Sequence, residues 1–107
     1  MLPIEKEVLE TISAILKNKY GSRIVGIYAF GSRVRGDFSF DSDFDVLIVV
    51  DNKTPQVERE IISIIVDEEM KHNLSFTPVI KDATSFEYEK HYNSPFYENI
   101  VKEGIQL

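Results

Sequence analysis

"FGSRVRGDFSFDSDFDVLIVV", Phe30 to Val50, closes one apolar segment with Gly31-Ser32, crosses a dozen mostly polar or aromatic residues, and opens a second apolar segment around Asp43 and Asp45. The segment that leads into it, Ile24 to Phe30, is β-branched and aromatic, too short for a typical helix, and stopped by Gly-Ser, so it is expected to be a strand. Phe44 to Val50 is expected to be a second strand. Beyond Asp45 it is apolar, as a central strand covered on both faces would be.

Side chains alternate along a strand, so Asp43 and Asp45 would share a face, with Cα atoms about 6.6 Å apart, twice a rise of roughly 3.3 Å. Two such carboxylates at about 5 Å and an effective dielectric near 20 repel by roughly 3 kcal/mol, so the pair calls for a cation or a raised pKa. Magnesium suits the place, because it takes hard oxygen ligands and often uses one or two carboxylates together with substrate phosphates. At the other end of the loop, Gly31 permits close backbone approach, Ser32 offers a hydroxyl, and Arg33 and Arg35 bring charge suited to phosphate. A phosphate cradle facing a metal-binding acid pair supplies the parts needed for phosphoryl or nucleotidyl transfer.

Outward from this stretch the chain alternates in type. Ile4, Val8, Leu9, Ile12, Ile15 and Leu16 recur at helical spacing, with Pro3 suited to a first turn and Gly21 to a stop. After Val50, Thr54-Pro55 reads as an N-cap and first-turn proline for a helix carrying Val57, Ile61, Ile64 and Ile65 toward His72, with Asn73 as its stop. Leu74 to Ile80 reads as a third strand, and Pro78, which cannot donate to a ladder, places it at a sheet edge. Strand, helix and strand in that order suggest a parallel, right-handed crossover. Thr84 and Glu87 have capping-box spacing for a short helix, and Ser94-Pro95 begins another that Gly104 ends. The expectation is one α/β (α+β) domain over residues 1–107, a small mixed sheet flanked by helices.

Composition narrows the function classes. The 107 residues are 43% hydrophobic and 28% charged, the balance of a globular domain that buries roughly two-thirds of its unfolded surface. Without cysteine there is neither a disulfide framework nor a thiolate metal site, which fits a cytoplasmic protein. A net charge of −6 with scattered lysines argues against nucleic-acid binding. No apolar run approaches the roughly 20 residues of a membrane-spanning helix.

Gly31-Ser32, ten residues, then Asp43-Phe44-Asp45, with Gly36 inside the loop and Ser42 before the pair, closely resembles the nucleotidyltransferase superfamily of the DNA polymerase beta type. The short length looks like its minimal nucleotidyltransferases, which are often antitoxin partners of helical HEPN-domain toxins. The resemblance implies two magnesium ions held by Asp43 and Asp45, and the β and γ phosphates of ATP seated by Gly31 and Ser32 with help from Arg33. It also implies transfer of AMP to a hydroxyl, in the antitoxin case a tyrosine of the toxin. The resemblance further implies a third carboxylate, which active members usually carry on a later strand beside the first two. The corresponding stretch here, Leu74 to Ile80, has none, with Thr77 in that slot and Asp82 beyond it. A catalytically weak or inactive relic that acts by binding a partner is therefore the alternative to an enzyme.

Other residues have plainer readings. His72 and His91 lie without metal-ligand spacing and are expected at a helix end and on the surface. Phe86, Tyr88, Tyr92, Phe96 and Tyr97 are expected in a core or interface rather than as a base-stacking platform.

Overall fold

Helix α1 (Pro3–Tyr20) starts with a proline whose missing N–H costs nothing in a first turn. The Leu2 N–H, otherwise without a partner at a helix start, donates to Glu5 Oε1 at 2.8 Å. The helix stops at Gly21, whose φ of 58° and ψ of −132° suit glycine. A single 3-10 turn (Gly21–Arg23) leads into β1 (Ile24–Phe30), and β2 spans Phe44–Val50. The structure, a computed structural model, describes residues 2–31 and 44–107.

Helix α2 (Pro55–His72) is capped as its sequence requires. Thr54 Oγ1 accepts from the Val57 N–H at 3.1 Å, and Asn73 adopts the left-handed conformation at the far end, φ 53° and ψ 44°. Strand β3 (Phe76–Asp82) begins two residues later than the sequence suggests. Leu74 is still leaving the helix, its N–H bonded to Glu69 O at 3.1 Å, so ladder pairing starts only at Phe76.

Helix α3 (Ala83–His91) is not opened by a Thr84 and Glu87 box. Asp82 caps it, Oδ2 accepting from the Thr84 N–H at 3.0 Å while Oδ1 accepts from the Lys53 N–H at 2.8 Å. An aspartate one residue before the first turn outcompetes a threonine already inside it. Ser94 Oγ caps α4 (Pro95–Glu103) by accepting from the Tyr97 N–H at 3.0 Å. The final apolar residues form a short strand β4 (Ile105–Gln106) that the sequence reading left unassigned.

The sheet runs β3-β2-β1-β4, so Pro78 does lie in an edge strand. β2 pairs with β1 antiparallel and with β3 parallel, while β4 adds only Ile105 and Gln106 opposite Ala29 and Tyr28. Two apolar layers follow from the period of β2. Val46, Ile48 and Val50 pack with Leu9, Ile12, Leu16, Ile61 and Ile65 from α1 and α2. Leu47 and Val49 face the other way, against Phe86 and Ile100 from α3 and α4. Every one of these β2 side chains is buried, as expected for a strand covered on both faces. Among the described residues no helix is long and apolar enough to cross a membrane.

Candidate functional site

Strand register decides what stands near Asp45. In the antiparallel pair Asp45 lies opposite Phe30, so Gly31, the next residue, sits at the same sheet end. Gly31 has a φ of 105°, in the left-handed region that favours glycine, and it turns the chain out of β1. In the parallel pair Asp45 lies opposite Thr77, with neighbouring strands separated by about 4.8 Å. Glycine turn, acid and hydroxyl thus gather at one end of three adjacent strands.

Alternation also fixes the face. Asp45 shares parity with Leu47 and Val49, so it is on the side covered by α3 and α4. Thr77 shares parity with Val79 and Phe30 with Tyr28, both of which pack in that layer. Phe30 meets Phe96, in the first turn of α4, edge to face with centroids 5.6 Å apart. The aromatic pair gives the residue beside Asp45 a fixed apolar wall, a contribution that the sequence reading missed. Its signal was available in the parity of Phe30, two positions from Tyr28. Asp45 is half-buried and Thr77 exposed.

Of the sequence-predicted site residues, Gly31 and Asp45 are brought together as described. Ser32, Arg33 and Asp43, with Arg35, Gly36 and Ser42, lie outside the described residues. Thr77 occupies the position across from Asp45 on the later strand, so that slot carries no carboxylate. Asp82 stands at the opposite end of β3, paired with Val50. The two N–H groups of Lys53 and Thr84 hold its carboxyl below the ordinary carboxylate range. Its work is to tie the β2–α2 turn to the start of α3.

The histidines keep apart from this end. His72 Nε2 lies 3.5 Å from Glu68 Oε2 in the last turn of α2, and His91 is exposed with its ring 4.9 Å from Tyr92. The aromatic set divides: Phe86 is buried in the α3–α4 layer, Phe96 and Tyr97 border it, and Tyr88 and Tyr92 are exposed. A cleft of about 370 Å³ bordered by Tyr28, Phe86, Lys90, Tyr97 and Ile100 opens farther along that layer, and neither Asp45 nor Thr77 lines it.

Residues 9–106 match the nucleotidyltransferase domain family, and the chain belongs to it. A Methanocaldococcus jannaschii protein provisionally named as a protein adenylyltransferase is 34% identical over 103 residues, covering 96% of both chains. A Staphylococcus aureus spectinomycin 9-adenylyltransferase is 44% identical over 57 residues, 53% of this chain but 22% of that enzyme, so the chain spans about a fifth of that relative. The crystal structure of a Sulfolobus solfataricus protein, provisionally assigned as a nucleotidyltransferase, superposes with a TM-score of 0.50 at 22% identity. That superposition covers 99% of this chain and 78% of the other, and the shared feature is the fold.

Proposed function

We propose that this protein transfers a nucleoside monophosphate, AMP from ATP, to a hydroxyl group of a protein. The observation that carries the reading is the shared register of Phe30, Asp45 and Thr77, which sets the Gly31 turn and the Asp45 carboxylate at one sheet end. The near full-length relative named as a protein adenylyltransferase supports the acceptor class.

In this reading Gly31, Ser32 and Arg33 seat the β and γ phosphates, and Asp43 and Asp45 hold two magnesium ions. The donor set fits: a half-buried carboxylate at a strand head, with a hydroxyl across from it, is the hard-oxygen chemistry magnesium takes. Bound magnesium supplies charge neutralisation at the phosphates and at the attacking oxygen. The chain's own part is to orient the α-phosphorus toward the acceptor while Phe30 and Phe96 keep the flank of Asp45 fixed. The acceptor oxygen bonds to that phosphorus, the phosphorus–bridging-oxygen bond breaks, pyrophosphate leaves with the electron pair, and the hydroxyl proton passes to solvent. The acceptor in this proposal is a tyrosine of a small helical partner of the HEPN type, an antitoxin arrangement in the cytoplasm.

Thr77 across from Asp45 favours a second reading, a relic of the fold that has lost turnover and restrains its partner by contact alone. One experiment separates the two. Purified protein is incubated with magnesium and ATP labelled in the α-phosphate, with and without the partner. Label that reaches protein and vanishes with Asp45→Asn establishes the transferase. A partner that still binds after replacement of Asp43 and Asp45, with no label transferred by the unaltered chain, establishes the relic.

A further inference from the structure

The chain has five tyrosines, and their surroundings sort them as acceptors. Tyr20 donates its phenol to Glu60 Oε2 at 2.7 Å, and burial together with that bond pushes its pKa up to about 12, so its oxygen is engaged. Tyr28 and Tyr97 are half-buried in the α3–α4 layer, with ring centroids 6.3 Å and 5.6 Å from that of Phe86. Tyr88 and Tyr92 differ: they are 62% and 73% exposed, and their rings lie within 4° of parallel with centroids 6.5 Å apart. Among the described residues neither hydroxyl makes a hydrogen bond.

Helix geometry gives these hydroxyls a direction. Phe86 points into the sheet, and successive helical residues step by about 100°, so Tyr88 lies roughly 200° around α3 and points away. Tyr92, stacked on it, stands on the same outer surface. Asp45 faces the inner side of that layer, so a chain's own site and its exposed tyrosines look in different directions.

We propose that Tyr88 and Tyr92 form an acceptor site at which a second copy of this chain attaches a nucleoside monophosphate. The inference rests on the proposed transferase activity and adds a substrate, the protein itself. The phenol oxygen of one copy bonds to the α-phosphorus of the nucleoside triphosphate held by another. The bond from that phosphorus to the bridging oxygen breaks, pyrophosphate departs, and the phenol proton passes to solvent. The product is a phosphodiester that leaves one negative charge on the outer face of α3.

The test mixes two forms of the protein with magnesium and α-labelled ATP. One is a donor carrying Tyr88→Phe and Tyr92→Phe; the other is a recipient carrying Asp45→Asn with all its tyrosines. The expected result is label on the recipient, at a rate proportional to the concentration of each form, with peptide mass spectrometry placing it on Tyr92 or Tyr88. A recipient that also carries both phenylalanines should lose at least nine-tenths of the label. The inference is overturned by a recipient that stays unlabelled, or by label that survives the two phenylalanines. Calorimetry with ATP and magnesium distinguishes loss of self-transfer from loss of nucleotide binding. If ATP binds and label reaches another protein while the recipient stays bare, the self-substrate idea alone fails; if ATP does not bind, the transferase reading fails with it.

Discussion

Thr77 is the residue whose neighbourhood is most open to a direct test, because parallel register sets it across from Asp45 and its side chain is exposed. Thr77→Asp places a second carboxylate across from Asp45, where, in the proposed transferase, it could accept the acceptor's proton. Initial rates of AMP transfer should rise about tenfold or more, given that a positioned proton acceptor contributes about 10²–10⁴. The same change should lower the melting temperature without magnesium and restore it with magnesium, since it adds like charge beside Asp45. Tyr20 supplies a pH prediction. Burial, then the Glu60 hydrogen bond, raise its pKa from the ordinary 10.0 to about 12, so the folded chain holds this proton more tightly than the unfolded one. The resulting stability is fully present below pH 10 and is lost as the pH rises toward 12. Melting temperatures of Tyr20→Phe should fall less steeply over that window, and phenolate absorbance should lose its latest-titrating component.

Elements are held by caps that can be removed one at a time. Thr54 fixes the start of α2 through a single hydroxyl contact to the Val57 N–H, and Thr54→Ala should cost about 1 kcal/mol in urea denaturation. Thr54→Ser should cost much less, since it keeps the oxygen. Such local chemistry is what made much of the fold legible. The span of β1 could be read from its β-branched run and Gly31, and α2 from Thr54-Pro55 and Asn73, because each signal lies within a residue or two of the boundary it sets. β3 was displaced because Leu74 looks like a strand residue but its N–H is held by Glu69. α3 was miscapped because Asp82 and Thr84 both offer a capping oxygen, and the contact to Lys53 that favours Asp82 comes from far along the chain. β4 was illegible for a plainer reason: two residues carry no period, and their pairing with Tyr28 and Ala29 spans most of the sequence. At the site, the placing of Gly31 and Asp45 at one sheet end could be read from the strand that each bounds, whereas Ser32, Arg33 and Asp43 lie outside the described residues.

At the scale of the whole molecule, the two helical layers are joined through the sheet, where β1 and β3 divide their side chains between the layers as does the central strand β2. β1 and β3 each lean on it along their length, and β4 hangs from β1 by a short ladder. The sheet therefore has a deep centre and a loosely fastened margin. Placed in heavy water, the amides of Val46 to Val50 should keep their protium until a molecule comes apart globally, and slow in step with its stability. That of Leu107, bonded to Ile27 O, should trade it orders of magnitude sooner, by peeling from β1 while the rest stays closed. Mass or magnetic-resonance readout of the two rates would show whether the margin detaches independently, and equal rates would mean that the sheet opens as one piece.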